Sequence, residues 1–206
     1  MKKKILCLAL AATIMGSTAY AAQNEAREPD MWVFNETSNQ ILNDAIKAQI
    51  IQSGDYDLNQ AVNREQFCEF AYNMVNSVKE LPVAKLARNP FDDVSNYKIN
   101  ALAFVKIING KGDYIFAPQD KITREEAAVI LCRMAEYMEI EFPSVKIDMS
   151  YSDNELISDW AISDVYKLKV LDIMQNKNDG LFNPQADYTV GETLSSLVKL
   201  YNMANK

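Results

Sequence analysis

One short pattern occurs three times in this chain, and this internal repeat limits the possible architecture more than any single residue does. The copies are Phe116-Ala117-Pro118 with ITREEAA at 122–128, Phe182-Asn183-Pro184 with YTVGE at 188–192, and a weaker Tyr56-Asp57-Leu58 with VNREQ at 62–66. They are offset by about 60 and 66 residues. A repeat of this length predicts similar structural units that bury one another's apolar faces.

Each copy lies between two stretches with the apolar spacing of amphipathic helices. The first stretches carry Leu42, Ala45, Ala48 and Ile51; Ile99, Leu102, Val105 and Ile108; and Val165, Leu168, Leu171 and Met174. The second stretches carry Phe67, Phe70, Ala71, Met74 and Val75; Ala127, Ile130, Leu131 and Met134; and Leu194, Leu197, Val198 and Tyr201. We therefore predict an all-α fold in which three helix-loop-helix units pack as one pseudo-threefold bundle. We call these units segment 1 (residues 32–80), segment 2 (88–140) and segment 3 (148–204).

The N-terminus has the layout of a secretory signal peptide. Three lysines precede an apolar run from Ile5 to Met15, and Ala19-Tyr20-Ala21 follows as a cleavage site. We predict a signal peptide over residues 1–21 and a flexible stretch over 22–31. No later run is long and apolar enough to span a bilayer core of about 30 Å. The sequence thus predicts a secreted protein without a transmembrane segment after cleavage.

Charge and composition exclude several classes of function. The formal net charge is −7, and without residues 1–21 the chain has 18 basic against 28 acidic side chains. Such a surface repels nucleic acid. The chain has no His, the commonest general base and a common metal ligand. We expect no enzyme, no cofactor and no metal site, although a glycosidase that uses two carboxylates stays open.

Two cysteines, Cys68 and Cys132, follow the predicted signal peptide within helical apolar patterns. The simpler interpretation is a pair of buried thiols that act as small hydrophobic residues. A disulfide between them stays open, because two cysteines alone do not establish a pairing.

The repeated motif has the spacing of a helix capping box, in which a side-chain oxygen begins the helix and an acid three residues later bonds back. The pairs with this spacing are Thr123 with Glu126, Thr189 with Glu192 and, as a weaker match, Asn63 with Gln66. We assign these six residues to helix capping.

Arg64 and Arg124 follow the cap directly, where a cation meets the positive end of the helix dipole. Capping does not require them, and Val190 replaces them in segment 3. Two interpretations compete. Each Arg reaches a carboxylate of a neighbouring segment, with Asp92 or Asp93 as candidates, or each forms an anion site together with free N–H groups of the helix start.

The pattern Phe91-Asp92-Asp93-Val94, Ile107 to Gly110, Phe116-Ala117-Pro118 and Ile122 to Ala128 resembles the surface-layer (S-layer) homology repeat. Segment 3 keeps Tyr151-Ser152-Asp153, Trp160-Ala161, Gly180, Phe182-Asn183-Pro184 and Thr189. Segment 1 keeps mainly Asn63 to Gln66 and the helical spacing. The resemblance covers about residues 32 to 204.

This resemblance implies a wall-binding module at the bacterial cell surface, associated with the S-layer. Its implied ligand is an anionic secondary wall polysaccharide with pyruvylated sugars, whose carboxylate suits an Arg. The implied ligand residues are Arg124 first and Arg64 second, with Gly110 and Gly112 allowing close approach and Trp160 stacking on a sugar. The alternative is a degenerate bundle that binds another envelope protein, which the loss of Arg at Val190 favours.

Overall fold

The helices of this protein come in pairs along the chain, and the second helix of each pair begins at a repeated motif. The structure, a computed structural model, describes residues 36–82, 89–144, 151–174 and 180–206. Its α-helices are α1 (Glu36–Lys47), α2 (Arg64–Val78), α3 (Tyr97–Phe104), α4 (Arg124–Tyr137), α5 (Ile162–Val170) and α6 (Val190–Ala204). A short 3₁₀-helix covers Asn154–Leu156. These residues contain no β-sheet, so the predicted all-α class is confirmed.

The predicted signal peptide (1–21) and the stretch 22–31 lie outside the described residues. Within the part of the chain that is described, no helix has the length and apolarity needed to cross a membrane.

The described residues form one compact unit, in which the helices pack cyclically. The second helix of each segment packs on the first helix of the next: α2 on α3, α4 on α5, and α6 on α1. Helix α6 also packs on α2 and α4. Each segment therefore covers the apolar face of its neighbour, as the repeat predicts.

A ring of three backbone hydrogen bonds joins the segments at the centre. Val62 N donates to Tyr188 O (2.9 Å), Tyr188 N to Ile122 O (2.9 Å), and Ile122 N to Val62 O (3.3 Å). These three residues precede the three helix starts and are buried. Because each one donates to one neighbour and accepts from the other, the ring gives the bundle its pseudo-threefold arrangement.

The first helices end earlier than their apolar spacing suggests. Helix α3 ends at Phe104, although the spacing continues to Ile108. Lys106 takes a left-handed conformation (φ 61°), and Ile107 N bonds back to Leu102 O at 2.9 Å. This reversal closes the helix while Ile107 and Ile108 still reach the core. The matching left-handed residues Gln49 and Asp172 follow α1 and α5.

Candidate functional site

The backbone N–H groups that begin α2, α4 and α6 are already bonded to the neighbouring segment. The first two N–H groups of each helix donate to carbonyls in the loop of the next segment. The pairs are Arg64 to Asp120 (2.9 Å) and Glu65 to Pro118 (3.0 Å); Arg124 to Ala186 (3.0 Å) and Glu125 to Pro184 (3.1 Å); and Val190 to Gln60 and Gly191 to Leu58 (both 2.9 Å). An anion at these helix starts would therefore find no unbonded N–H group at the first two positions.

The third N–H group of each helix bonds to the cap residue. Thr123 Oγ1 accepts from Glu126 N (3.2 Å), and Glu126 Oε2 accepts from Thr123 N (3.0 Å), which completes a capping box. Thr189 and Glu192 form the same box.

Helix α2 has a simpler cap. Asn63 Oδ1 accepts from Gln66 N at 2.8 Å, while the Asn63 amide donates to Gln119 Oε1 at 3.3 Å. The Asn63 side chain thus caps its own helix and also bonds across to segment 2.

Arg124 lies buried between segments 2 and 3, with only 3% of its surface exposed. Its Nε donates to Phe182 O at 2.8 Å, and its Nη1 pairs with Glu192 Oε1 at 2.8 Å. The guanidinium carbon lies 5.1 Å from the centre of the Phe182 ring and 5.7 Å from that of Tyr188. The partner carboxylate is therefore Glu192, and the sequence-based candidates Asp92 and Asp93 do not fill this role.

Arg64 lies at the equivalent place between segments 1 and 2, with 5% of its surface exposed. Its Nε donates to Phe116 O at 2.9 Å and its Nη2 to Asn109 O at 3.0 Å. The guanidinium carbon lies 4.6 Å from the centre of the Phe116 ring. Among the described residues, no carboxylate comes within 4.0 Å of this cation.

The remaining guanidinium nitrogen of Arg64, Nη1, has no hydrogen-bond partner among the described residues. The buried side-chain nitrogen and oxygen atoms that lack a partner in that part of the chain are Asn100 Oδ1 and Tyr151 Oη. Nη1 is not one of them, so this edge belongs to the small exposed fraction of Arg64. A charged donor edge thus reaches solvent between segments 1 and 2.

Asp93 fixes the backbone of the loop at Phe116, whose carbonyl accepts a hydrogen bond from Arg64. Its carboxylate accepts from Phe116 N at 2.8 Å and from Ala117 N at 2.7 Å. The hydrogen bond from Phe116 N lowers the pKa of Asp93, and the bond from Ala117 N and the charge of Arg64 act in the same direction. Asp153 binds Phe182 N and Asn183 N in the same way in segment 3.

The two glycines of the predicted site have different structural roles. A Cβ at Gly110 would lie 2.5 Å from Ile115 O and 2.8 Å from a Phe91 ring carbon, so the close packing of this loop requires glycine. Gly112 has a φ of +113° and open space around it. Its backbone conformation is one that other residues rarely adopt.

Trp160 is 58% exposed and lies just before α5, so its ring is open to solvent. The contacts described for Arg124 and Arg64 do not include it.

Segment 3 meets segment 1 without a cation at the corresponding place. Val190 occupies the position of the arginines and is buried, and Gly191 occupies the position of Glu65 and Glu125. This interface therefore differs in chemistry from the other two.

The sequence-based selection missed Glu125, a buried carboxylate at the second position of α4. It accepts from Ser158 N (3.0 Å), from Ser158 Oγ (2.9 Å) and from Gln185 Nε2 (2.6 Å). Glu65 occupies the second position of α2 and accepts hydrogen bonds from the side-chain amides of Asn96 and Gln119. The shared Arg-Glu pair in both motif copies was the signal that could have identified them.

Both cysteines are buried and free, so the two thiols form no disulfide with each other. Burial raises the pKa of the Cys68 thiol to about 12, and burial also raises the pKa of Cys132. Both thiols are therefore protonated at neutral pH and pack as hydrophobic side chains.

Comparison with curated proteins identifies three relatives, each a much longer enzyme. An endoglucanase of Bacillus sp. (strain KSM-635) is 36% identical over 103 residues, which is 48% of this chain and 11% of the relative. An amylopullulanase of Thermoanaerobacterium thermosulfurigenes is 27% identical over 91% of this chain and 10% of its own length. The exoglucanase XynX of Acetivibrio thermocellus is 29% identical over 73% of this chain and 14% of its own length. This chain thus spans only about a tenth to a seventh of these relatives.

The S-layer homology domain model matches residues 90–128 and 150–188. These ranges contain the loops and helix starts that hold Asp93, Arg124 and Asp153. The two matches lie in segments 2 and 3 and make these stretches similar to the S-layer homology domain, a type of domain that marks attachment to the cell wall at the cell surface.

Proposed function

We propose that this protein attaches non-covalently to the bacterial cell wall by binding an anionic secondary wall polysaccharide, with Arg64 as the main anion contact. The pyruvyl carboxylate of a modified sugar is the ligand group that we assign to it. The observation that carries this assignment is a buried guanidinium with no carboxylate within 4.0 Å among the described residues and one edge towards solvent.

The assignment changes the order in which the two arginines are ranked. Arg124 already pairs with the carboxylate of Glu192 in a buried site, so a second anion would have to displace that contact. Arg64 donates to two neutral carbonyls instead, and it forms no ion pair within the described part of the chain. A ligand carboxylate at Arg64 would therefore gain a charge-assisted hydrogen bond without breaking an existing ion pair.

The bound anion would interact with the Arg64 side chain rather than with the backbone N–H groups at the start of α2. The first two N–H groups of α2 donate to Asp120 and Pro118, and the third donates to Asn63. Binding should thus depend on the charge of Arg64 and weaken as salt screens it. Trp160 and the Arg124 interface are secondary contacts in this proposal.

A sedimentation experiment with purified sacculi tests the proposal. The sacculi come from a bacterium with a pyruvylated secondary polymer and are used before and after acid stripping of that polymer. We expect the protein to pellet with intact sacculi and to stay in solution with stripped ones. Equal pelleting in both samples, or no pelleting in either, would overturn the proposal, and the latter would favour a protein partner in the envelope.

Arg64→Gln and Arg64→Lys test the residue itself, with folding checked by circular dichroism. Gln keeps an N–H donor but no charge, and Lys keeps the charge without the planar fork. We expect Arg64→Gln to bind at least about tenfold more weakly, because a charged hydrogen bond is lost.

The matched control for this substitution is Lys79→Gln, at the other end of α2. Lys79 lies about 22 Å away along the helix and pairs with Glu139 at the surface. The Lys79→Gln substitution removes one positive charge, as Arg64→Gln does, and should leave binding unchanged. Wild-type binding by folded Arg64→Gln would contradict the assignment of Arg64.

A further inference from the structure

The loop that holds Arg64 contains a turn whose backbone favours glycine but whose sequence places a tyrosine there. Ile115 N donates to Gly112 O and Lys111 N to Ile115 O, both at 2.8 Å, so residues 112–115 form a tight reverse turn. Both central residues are left-handed, Asp113 with φ 45° and Tyr114 with φ 62°. Two-residue turns of this kind strongly prefer Gly at the second central position.

Segment 3 meets the same backbone requirement with glycine. Gly180 has a φ of +78°, and its carbonyl accepts from Ser152 N at 3.1 Å. Tyr114 O accepts from Asp92 N at 2.9 Å in the matching place, and each of the two residues precedes the loop phenylalanine by two positions. The backbone role of this position therefore does not require an aromatic ring, and Tyr114 adopts a conformation that is unfavourable for its side chain.

Among the described residues, the Tyr114 side chain is not part of the hydrophobic core or of the side chains packed against it. It is 72% exposed, the highest value among the large exposed hydrophobic side chains in the described ranges. Within those ranges its ring makes no aromatic contact, and its hydroxyl makes no hydrogen bond. The loss of a favourable turn residue is thus not offset by an aromatic contact or a side-chain hydrogen bond inside the described protein.

In sequence, Tyr114 lies between Asn109 and Phe116, the two residues whose carbonyls bind Arg64. The same short loop therefore holds the guanidinium and presents an exposed ring. A sugar that carries a carboxylate has complementary groups for both, an anion for the guanidinium and C–H faces for the ring. Tyr also suits such a surface because its ring is apolar and its hydroxyl stays hydrated.

We propose that Tyr114 is a ligand-binding residue that packs against a pyranose ring of the polymer whose carboxylate binds Arg64. This inference rests on the proposed function and adds to it a contact that segment 3, with Gly180, cannot provide. It gives the interface of segments 1 and 2 an exposed aromatic ring at a loop position where segment 3 has glycine.

The test compares Tyr114→Gly, Tyr114→Asn and Tyr114→Phe in the sedimentation experiment and in thermal unfolding. Gly relieves the left-handed strain of the backbone, so we expect Tm to rise by about 1–4 °C. Gly and Asn both remove the ring and should bind intact sacculi about threefold to tenfold more weakly. Phe keeps the ring and should bind like the wild type.

The control is Phe104→Ala, which removes another exposed aromatic ring at the end of α3 and should leave binding unchanged. Wild-type binding by Tyr114→Gly and Tyr114→Asn would overturn this inference, and if Arg64→Gln still loses binding, the proposed function would stand. A Tyr114→Gly variant that loses both Tm and binding would show a structural role and would also overturn the inference. If wild-type protein fails to pellet with intact sacculi, the proposed function itself fails.

Discussion

The interface around Arg124 and the interface around Arg64 start from the same motif and reach different electrostatic states. In both, Nε of the arginine donates to the carbonyl of the loop phenylalanine in the next segment, Phe182 or Phe116. The second contact differs. Arg124 pairs with Glu192, whereas Arg64 donates to the neutral carbonyl of Asn109.

The difference does not come from a missing carboxylate in the motif. Glu126 holds the position in segment 2 that Glu192 holds in segment 3, and both bond to the N–H of their cap residue. Glu192 uses its other oxygen for Arg124, while Glu126 makes no ion pair with Arg64 within 4.0 Å in the described structure. The same motif thus forms a buried ion pair at Arg124 and leaves one guanidinium nitrogen of Arg64 exposed to solvent.

The largest effect should follow removal of Arg124. We expect Arg124→Ala to lower the free energy of unfolding by about 3–5 kcal/mol, because the largely buried carboxylate of Glu192 then loses the guanidinium that pairs with it. Urea unfolding followed by circular dichroism measures this loss. The control is Lys121→Ala, which removes the exposed pair with Asp187 and should cost at most about 1 kcal/mol. Similar losses for the two variants would contradict the structural role of the Arg124–Glu192 pair.

A smaller stability effect should follow Arg64→Gln. We expect a loss of about 1–3 kcal/mol, because the carbonyls of Asn109 and Phe116 lose donors but no buried carboxylate is left unpaired. The same urea experiment gives this value beside that of Arg124→Ala. If Arg64→Gln proves as destabilising as Arg124→Ala, the two interfaces are electrostatically alike and the comparison fails.

The smallest effect concerns Asp93, whose carboxylate binds the backbone of Phe116 and Ala117, and this effect is lost in acid. Because its folded pKa is lowered, ionised Asp93 stabilises the protein above the ordinary Asp pKa of about 3.9, and this contribution is lost as pH falls through the folded pKa. The stability difference between wild type and Asp93→Asn should therefore be constant above about pH 5 and shrink below about pH 4.

Urea unfolding at several pH values measures the Asp93 effect. Asp92→Asn is the control, since the Asp92 side chain accepts no hydrogen bond from the described residues. A difference for Asp93→Asn that stays unchanged down to about pH 3 would contradict the role of Asp93. In Arg64→Gln, the pKa of Asp93 should move upward, because the charge of Arg64 helps to lower it.

Local features of the fold could be predicted from the sequence because they depend on neighbouring residues. Thr123 and Glu126 lie in one helical turn, and their spacing alone suggests the capping bonds that the structure contains. The apolar spacing likewise indicated the helices. It placed the ends of the first helices too late. Helix α3 ends before a left-handed residue at Lys106, which the apolar pattern does not predict, while Ile108 is still buried in the core.

The candidate site was only partly predictable. The unfavourable place of Arg64 and Arg124 at a helix start indicated that both have a role outside their own helices. Which contact each one makes depends on residues of the next segment, and the partner of Arg124 lies 68 positions away in sequence. The sequence-based ranking placed Arg124 first, whereas the geometry favours Arg64 as the anion contact that we propose.

By itself, the sequence determined the repeated helical units, their caps and the excess of negative charge, because these depend on residue type and on spacing within a turn or a helix. Only the tertiary structure decided how the units close on one another, through the ring of Val62, Ile122 and Tyr188. It also decided that Arg124 pairs with a carboxylate while Arg64, among the described residues, donates to neutral carbonyls, because that depends on where a side chain of another segment lies. No local pattern contains this information.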